Sequence, residues 1–217
     1  MAWGGFRTPE SELDVLGDVR GTDILELGCG AGQWSVALQH LGARPVGLDV
    51  SSRQLGHARR ASEALPLLAA DAERLPFADA SFDVVFCDHG AMSFCDPACT
   101  LPEVARVLRP GGLFTFCAAT PLLYLTWDAG KEKQSRRLHR TYDELGVIDF
   151  EDGTVDWVLP PGEWIRRFRA HGFDIEDLIE LRPPPDASTT YDFVPTKWAR
   201  RWPAEWIWKT RRVRRSG

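Results

Sequence analysis

Apolar positions along this chain alternate between two periods. Short, nearly continuous apolar runs fall near 23–27, 44–49, 66–70, 82–88, 112–118 and 173–181, each bounded by glycine, proline or charged residues. Runs of that length are expected to be buried strands. Between them, near 32–41, 51–63, 100–108 and 163–171, apolar residues recur at helical spacing. Strand and helix in turn predict a doubly wound, mostly parallel α/β sheet. Gly42 and Gly172 are placed to end the first and last of these helices, and Pro183-Pro184-Pro185 breaks the chain after the sixth strand. Over 204–211, Trp206, Trp208 and Thr210 alternate with Ile207, Lys209 and Arg211, a strand period. Ahead of the sheet, Thr8-Pro9-Glu10 reads as a cap followed by a first-turn proline, predicting a helix through about Val19.

The first strand runs into Glu26-Leu27-Gly28-Cys29-Gly30-Ala31-Gly32 and then the first helix. Glycines at 28, 30 and 32 permit a tight turn and close backbone approach to a ligand, and the helix's free N–H groups point at it. Asp49 ends the second strand 19 residues beyond Gly30, about where such a fold carries a ribose-binding carboxylate. The dinucleotide fingerprint wants its third glycine where Gln33 stands, so NAD is not expected to bind.

The pattern acidic-x-Gly-x-Gly-x-Gly resembles the first motif of class I S-adenosylmethionine-dependent methyltransferases, and the likeness continues in order. Asp49-Val50-Ser51 with Gln54-Leu55 and Ala58 resembles the second strand and helix. Asp71-Ala72-Glu73-Arg74-Leu75-Pro76-Phe77 resembles the adenine-binding segment, and Ser81-Phe82-Asp83-Val84-Val85-Phe86 the fourth strand. Glu103 to Gly112 resembles the helix and turn before the fifth. Five motifs cover residues 22–118, closest in character to the type 11 small-molecule methyltransferases. The resemblance implies a seven-stranded Rossmann-like sheet with an antiparallel last strand, here 204–211, and S-adenosylmethionine as cofactor. It implies that Gly28 and Gly30 pass under the methionine part and that Glu26 helps hold its amino group. It also implies that Asp49 accepts the ribose hydroxyls, and that Asp71 and Ala72 take the adenine edge with Leu75 or Ser51 near the ring. The other reading of Asp49 is a helix cap, a task Ser51 can perform. Asp88 is a further candidate for the cofactor's amino group.

Methyl transfer to a hydroxyl or ammonium invites a general base. His89 is the candidate, because it follows the fourth strand in Cys87-Asp88-His89-Gly90-Ala91-Met92, a turn that in this fold faces the transferred methyl. The alternative is that His89 packs or bonds to a backbone carbonyl. His139, Tyr142 and Asp156 are weaker candidates. The Asn/Asp-Pro-Pro-Tyr turn of adenine-amine and glutamine methyltransferases, the Pro-Cys pair of cytosine enzymes and a clear acid-plus-histidine metal motif do not occur here. A small organic acceptor and no metal are therefore expected.

Two stretches lie outside the scaffold: residues 1–20, with Trp3 and Phe6, and residues 119–160, far longer than the usual ~2–6 residue connection. The second carries Tyr124, Trp127, Tyr142, Phe150 and Trp157 among several cations, so the N-terminal lid segment and the insertion are together expected to close over the cofactor and shape an aromatic acceptor's pocket.

At 217 residues, with 44% hydrophobic and 26% charged positions, the chain suits one soluble domain over 1–217. Its start lacks the apolar core of a signal peptide and no run reaches a membrane span, so a cytoplasmic protein is expected. Cys29, Cys87 and Cys117 read as buried thiols. Cys95 and Cys99 have a spacing some zinc sites use, but no second Cys/His pair accompanies them, and free thiols are expected. Net charge is −5, yet residues 197–217 hold eight basic residues against Glu205. That tail suits a nucleic-acid patch or the solvated end of a strand, and the acidic remainder favours the strand and no nucleic-acid partner. Two alternatives to small-molecule methylation remain, a protein or RNA methyltransferase and a non-catalytic cofactor-binding scaffold. The oligomeric state is not legible.

Overall fold

The computed structural model describes residues 1–150, 153–187, 189 and 194–214. Residues 151–152 of the insertion and Arg215 of the basic tail lie outside them. The sheet strands are β1 (Asp23–Leu27), β2 (Arg44–Asp49), β3 (Leu67–Ala69), β4 (Phe82–Asp88), β5 (Leu108–Ala119), β6 (Phe173–Leu181) and β7 (Glu205–Arg212). Their order is β6-β7-β5-β4-β1-β2-β3. Strands β1 to β5 pair in parallel, and β7 lies antiparallel between β5 and β6. The expected seven-stranded sheet is thus present, with strand order reversing between β1 and β4. Ligands of open α/β sheets sit at such a switch point, beyond the carboxyl ends of the strands.

Alternation along β5 divides the core. Phe114 and Phe116 face α3 (Pro97–Val107) and α4 (Pro161–Ala170), packing with Leu101, Val104, Trp164 and Phe168. Leu113 and Cys117 face the opposite layer, with Trp34 and Leu38 of α1 (Gln33–His40) and with Trp3, Val15 and Leu16 of the N-terminal segment. Helix α3 begins earlier than expected because Asp96 caps it, accepting from Ala98 N–H at 2.7 Å. Gly42 and Gly172 follow their helices with φ of +83° and +74°, the left-handed closure that glycine permits.

The N-terminal helix expected over Thr8–Val19 is one turn, Glu10–Leu13. Thr8 and Pro9 instead pair with Ala2 and Trp3. The Glu10 carboxylate turns inward to accept from Trp3 Nε1 at 2.5 Å and Leu16 N–H at 2.7 Å, and Asp14 closes the turn at φ +49°. Trp3 is fully buried against Trp34 and Phe86. This segment is fastened to the core rather than laid over it. Insertion 119–160 contains its own small elements, including a helix over Pro121–Leu125 and a hairpin of Gly146–Asp149 with Val155–Val158.

Candidate active site

The glycine turn between β1 and α1 supports two distinct contacts. A Cβ at Gly28 (φ +73°) would lie 2.7 Å from Ala91 N, so this glycine lets the 89–91 turn after β4 seat against the β1 loop. A Cβ at Gly30 (φ +53°) would meet nothing within 4 Å. The open face of the loop is therefore at Gly30. Gly30 N–H donates to Asp49 Oδ2 and Ser51 N–H to Asp49 Oδ1, both at 2.8 Å. Ser51 Oγ accepts from Gln54 N–H at 3.3 Å, so Ser51 caps α2 (Ser52–Ala61), as the sequence allowed. Each Asp49 oxygen keeps a lone pair beyond its one backbone bond, which suits a diol.

Glu26 is buried under the same turn. Its Oε2 accepts from Ser35 N–H at 3.0 Å and Ser35 Oγ–H at 2.5 Å, satisfying a first-turn donor of α1. Burial pushes its carboxyl up to about 8, only partly offset by the Ser35 bonds and reinforced by the charges of Asp88 and Asp49. Asp71 is exposed, its Oδ1 taken by Glu73 N–H, while Ala72 is buried. Arg106 clamps the following loop: its guanidinium donates to the carbonyls of Leu75 (2.8 Å) and Phe77 (2.6 Å) and pairs with Glu103 and Asp79. Glu103 in turn accepts from Leu75 N–H at 2.7 Å. These groups fit S-adenosylmethionine, with a carboxylate for a diol at Asp49, an open backbone at Gly30 and a held loop at 71–77.

Past β4, His89 adopts φ +52°, uncommon outside glycine. Its N–H donates to Cys117 O (3.1 Å), and its Nε2 lies 2.6 Å from Glu205 Oε1 at the start of β7. Glu205 Oε1 also accepts from Gly5 N–H at 2.7 Å. Burial alone would lower the imidazole, but the Glu205 bond and charge, with Asp88 and Asp156, raise it above its ordinary value. Glu205 stays below its ordinary range: burial opposes ionisation, and the His89 bond and charge with the Gly5 and Phe6 N–H groups outweigh it. The pair is an imidazolium–carboxylate over a wider pH range than a free histidine would allow, and Nδ1 is the ring nitrogen left for an acceptor. Asp88 accepts from Gly4 N–H (3.0 Å) and Trp34 Nε1 (3.1 Å), and burial raises its carboxyl. Thus both carboxylates expected near the cofactor's amino group, Glu26 and Asp88, already bind protein donors.

A cavity of about 560 Å³ opens beside His89 and Glu205. Insertion 119–160 supplies Tyr124, Trp127, Arg140, Phe150 and Asp156 to its wall, and the N-terminal segment supplies Phe6. Tyr124 Oη–H donates to Asp156 in a short hydrogen bond. Burial raises the pKa of both groups above their ordinary values, making each a weaker acid. Of the weaker candidates, Asp156 lines this cavity, whereas Tyr142 is exposed and His139 bonds to Ser135 Oγ.

Sequence reasoning missed Glu205, which it counted only as the acid in a basic tail 116 positions from His89. The antiparallel strand assignment over 204–211 contained the signal, since such a strand starts at the end where the parallel strands finish. Arg211 of that tail pairs with Glu176, and Arg212 donates to Leu108 O. Cys29, Cys87 and Cys117 are buried as expected, Cys99 is exposed, and all five cysteines are free. Among the described residues, Asp88, His89 and Cys117 bring ligand atoms within 4.8 Å of one another. No helix among the described residues is long and apolar enough to cross a membrane.

Residues 25–116 match the family described as "Methyltransferase domain". The chain is 38% identical over 104 residues to a demethylmenaquinone methyltransferase of Corynebacterium kroppenstedtii, covering 48% of this chain and 44% of that one. It is 36% identical over 122 residues to a malonyl-[acyl-carrier protein] O-methyltransferase of Pseudescherichia vulneris, covering 54% and 48%. The match therefore spans under half the length of these curated relatives. A crystal structure of an S-adenosylmethionine-dependent methyltransferase from Mesorhizobium loti superposes with a TM-score of 0.77 at 25% identity, covering 93% of this chain and 96% of that one. With the strand order, the glycine turn and Asp49 in place, the chain belongs to the class I S-adenosylmethionine-dependent methyltransferase superfamily.

Proposed function

We propose that this chain methylates a small organic acceptor, of one or two aromatic rings, held in the cavity beside His89. One observation carries the reading: the 89–91 turn that borders the cavity also packs on Gly28, so the acceptor cavity and the glycine turn share a wall. The volume of about 560 Å³ lies within the ~300–1,000 Å³ of small-molecule sites. Bound S-adenosylmethionine supplies an electrophilic methyl group for in-line displacement. Asp49 holds the ribose, Gly30 leaves room for the backbone approach, and Ala72 with the 71–77 loop receives the adenine. Glu26 and Asp88 polarise the end of the site beneath the amino group, acting through charge as well as through contact.

The protein's remaining task is to align the acceptor and take its proton, and alignment supplies most of the acceleration. His89 takes the proton at Nδ1, with Glu205 holding the ring and stabilising the imidazolium that forms. Residues 119–160 and Phe6 form the wall that excludes water. The domain works as one unit over 1–217, in the cytoplasm, on a small molecule rather than on nucleic acid. Two of the tail arginines that would serve a polyanion are instead used in the Arg211–Glu176 and Arg212–Leu108 contacts.

Incubation with methyl-labelled S-adenosylmethionine and a metabolite extract, with and without RNase, tests this reading. Labelled low-mass product with release of S-adenosylhomocysteine, unaffected by RNase, is expected. Label confined to RNA or protein would overturn the small-molecule acceptor, and cofactor binding without any release would make the chain a scaffold.

A further inference from the structure

The cavity's charges do not cancel evenly. Glu205 is paired with His89, and Asp156 accepts the Tyr124 hydroxyl proton. Asp149 sits exposed at the margin. Arg140 is half-buried in the same wall, yet makes no ion pair or hydrogen bond among the described residues. Its charge acts on both Tyr124 and Glu144, and its side chain lines the cavity together with Tyr124 and Asp156. An arginine withdrawn from water with its fork of donors unfilled is matched by a planar anion, which it can grip through two parallel bonds. The same cavity is lined by the aromatic rings of Phe6, Phe94, Trp127 and Phe150. The cavity thus offers an aromatic-walled slot, a proton acceptor at His89 and a cation with no hydrogen bond or ion pair among the described residues.

We propose that Arg140 receives a carboxylate on the acceptor, so that the substrate class is an aromatic acid whose methylated atom lies at the His89 end. The inference rests on the methyltransferase reading and names its acceptor. The substrate's carboxylate is a binding handle and takes no part in bond making. The methyl goes to a second group of the acceptor, whose proton leaves to His89 Nδ1.

The test compares 6-hydroxy-2-naphthoate with its methyl ester, which keeps the rings and the hydroxyl but removes the charge. Each is titrated by calorimetry into protein saturated with S-adenosylhomocysteine. The acid is expected to bind at least about tenfold tighter than the ester, the scale of one charge-assisted bond. Arg140→Gln should erase that preference while leaving ester binding and S-adenosylhomocysteine binding unchanged, and Arg140→Lys should restore part of it. Because the Arg140 side chain has no hydrogen bonds to lose, both variants should melt near the wild-type temperature. Equal affinity for acid and ester, no binding of the acid, a preference surviving Arg140→Gln, or a variant that loses S-adenosylhomocysteine instead would each overturn the inference. Failure of the wild type to bind S-adenosylhomocysteine would strike the methyltransferase reading itself, and is seen before any acceptor is added.

Discussion

Replacing Glu205 by Gln removes one charge from the floor of the cavity and keeps its shape. The carboxylate lies 2.6 Å from His89 Nε2 and its side chain is 9% exposed, against 29% for the imidazole. A hydrogen bond to a charged group contributes about 1.5–3 kcal/mol. At 1.36 kcal/mol per pKa unit, losing it should lower the His89 pKa by about 1–2 units. The sign of the stability change depends on pH. His89 is raised in the folded state, so its contribution is complete below the ordinary 6.5 and fades as pH rises through the folded value. Glu205 is lowered, so its contribution is complete above the ordinary 4.5 and fades as pH falls through the folded value. Urea unfolding should therefore show the widest gap between wild type and variant, about 1.5–3 kcal/mol, between pH 4.5 and 6.5. The gap should narrow at alkaline pH. NMR titration of the ring should show the lowered pKa directly, and the rising limb of the pH–rate profile should move to lower pH with it. A pH-independent stability gap, or a His89 titration unmoved by the substitution, would refute the ion-pair reasoning.

Three other outcomes follow from neighbouring geometry. Gly28→Ala should destabilise the fold by about 2–5 kcal/mol, from left-handed strain and the clash with the 89–91 turn, whereas Gly30→Ala should cost ~1–2 kcal/mol and act mainly on S-adenosylhomocysteine affinity. Thermal unfolding beside calorimetry separates the two, and a fully stable Gly28→Ala would contradict the packing described. Arg106→Gln should free the 75–77 loop and weaken S-adenosylhomocysteine binding by up to about tenfold, with unchanged affinity in a folded variant showing that the clamp does not reach the ligand. Glu26, at about 8 in the free protein, should lose a proton when an ammonium arrives beside it. Affinity should rise from pH 6.5 to 8, and binding enthalpy at pH 7 should depend on the buffer's ionisation heat, whereas a buffer-independent enthalpy would remove Glu26 from that role.

The sheet was legible because its strands are short apolar runs with glycine and proline at their ends, and the structure starts or stops them within a few residues of those marks. The turn residues were legible for the same reason: Gly42, Gly172 and the Ser51 cap act through local backbone geometry. What local pattern does not carry is which side chain answers another across the sheet. Thr8-Pro9-Glu10 has the form of a helix start, but the Glu10 carboxylate finds Trp3 Nε1 and Leu16 N–H, and burial of Trp3 outweighs a few turns of exposed helix. His89 was found from its place after β4, while its partner Glu205 and the Tyr124–Asp156 pair depend on folding of distant segments. Gly28 was read as room for a ligand, and it also makes room for the 89–91 turn, a contact the local pattern does not carry.

The glycine turn and Asp49 are proposed to hold S-adenosylmethionine together, and calorimetric titration of S-adenosylhomocysteine into the wild type and into Asp49→Ala reads that binding with no acceptor or turnover involved. The wild type should bind one equivalent saturably, and the variant should bind at least about tenfold more weakly through loss of charge-assisted bonds to the ribose. NAD should give no heat in either. Equal affinity in wild type and variant would take the ribose away from Asp49, and tight NAD binding would make the glycine turn a dinucleotide site.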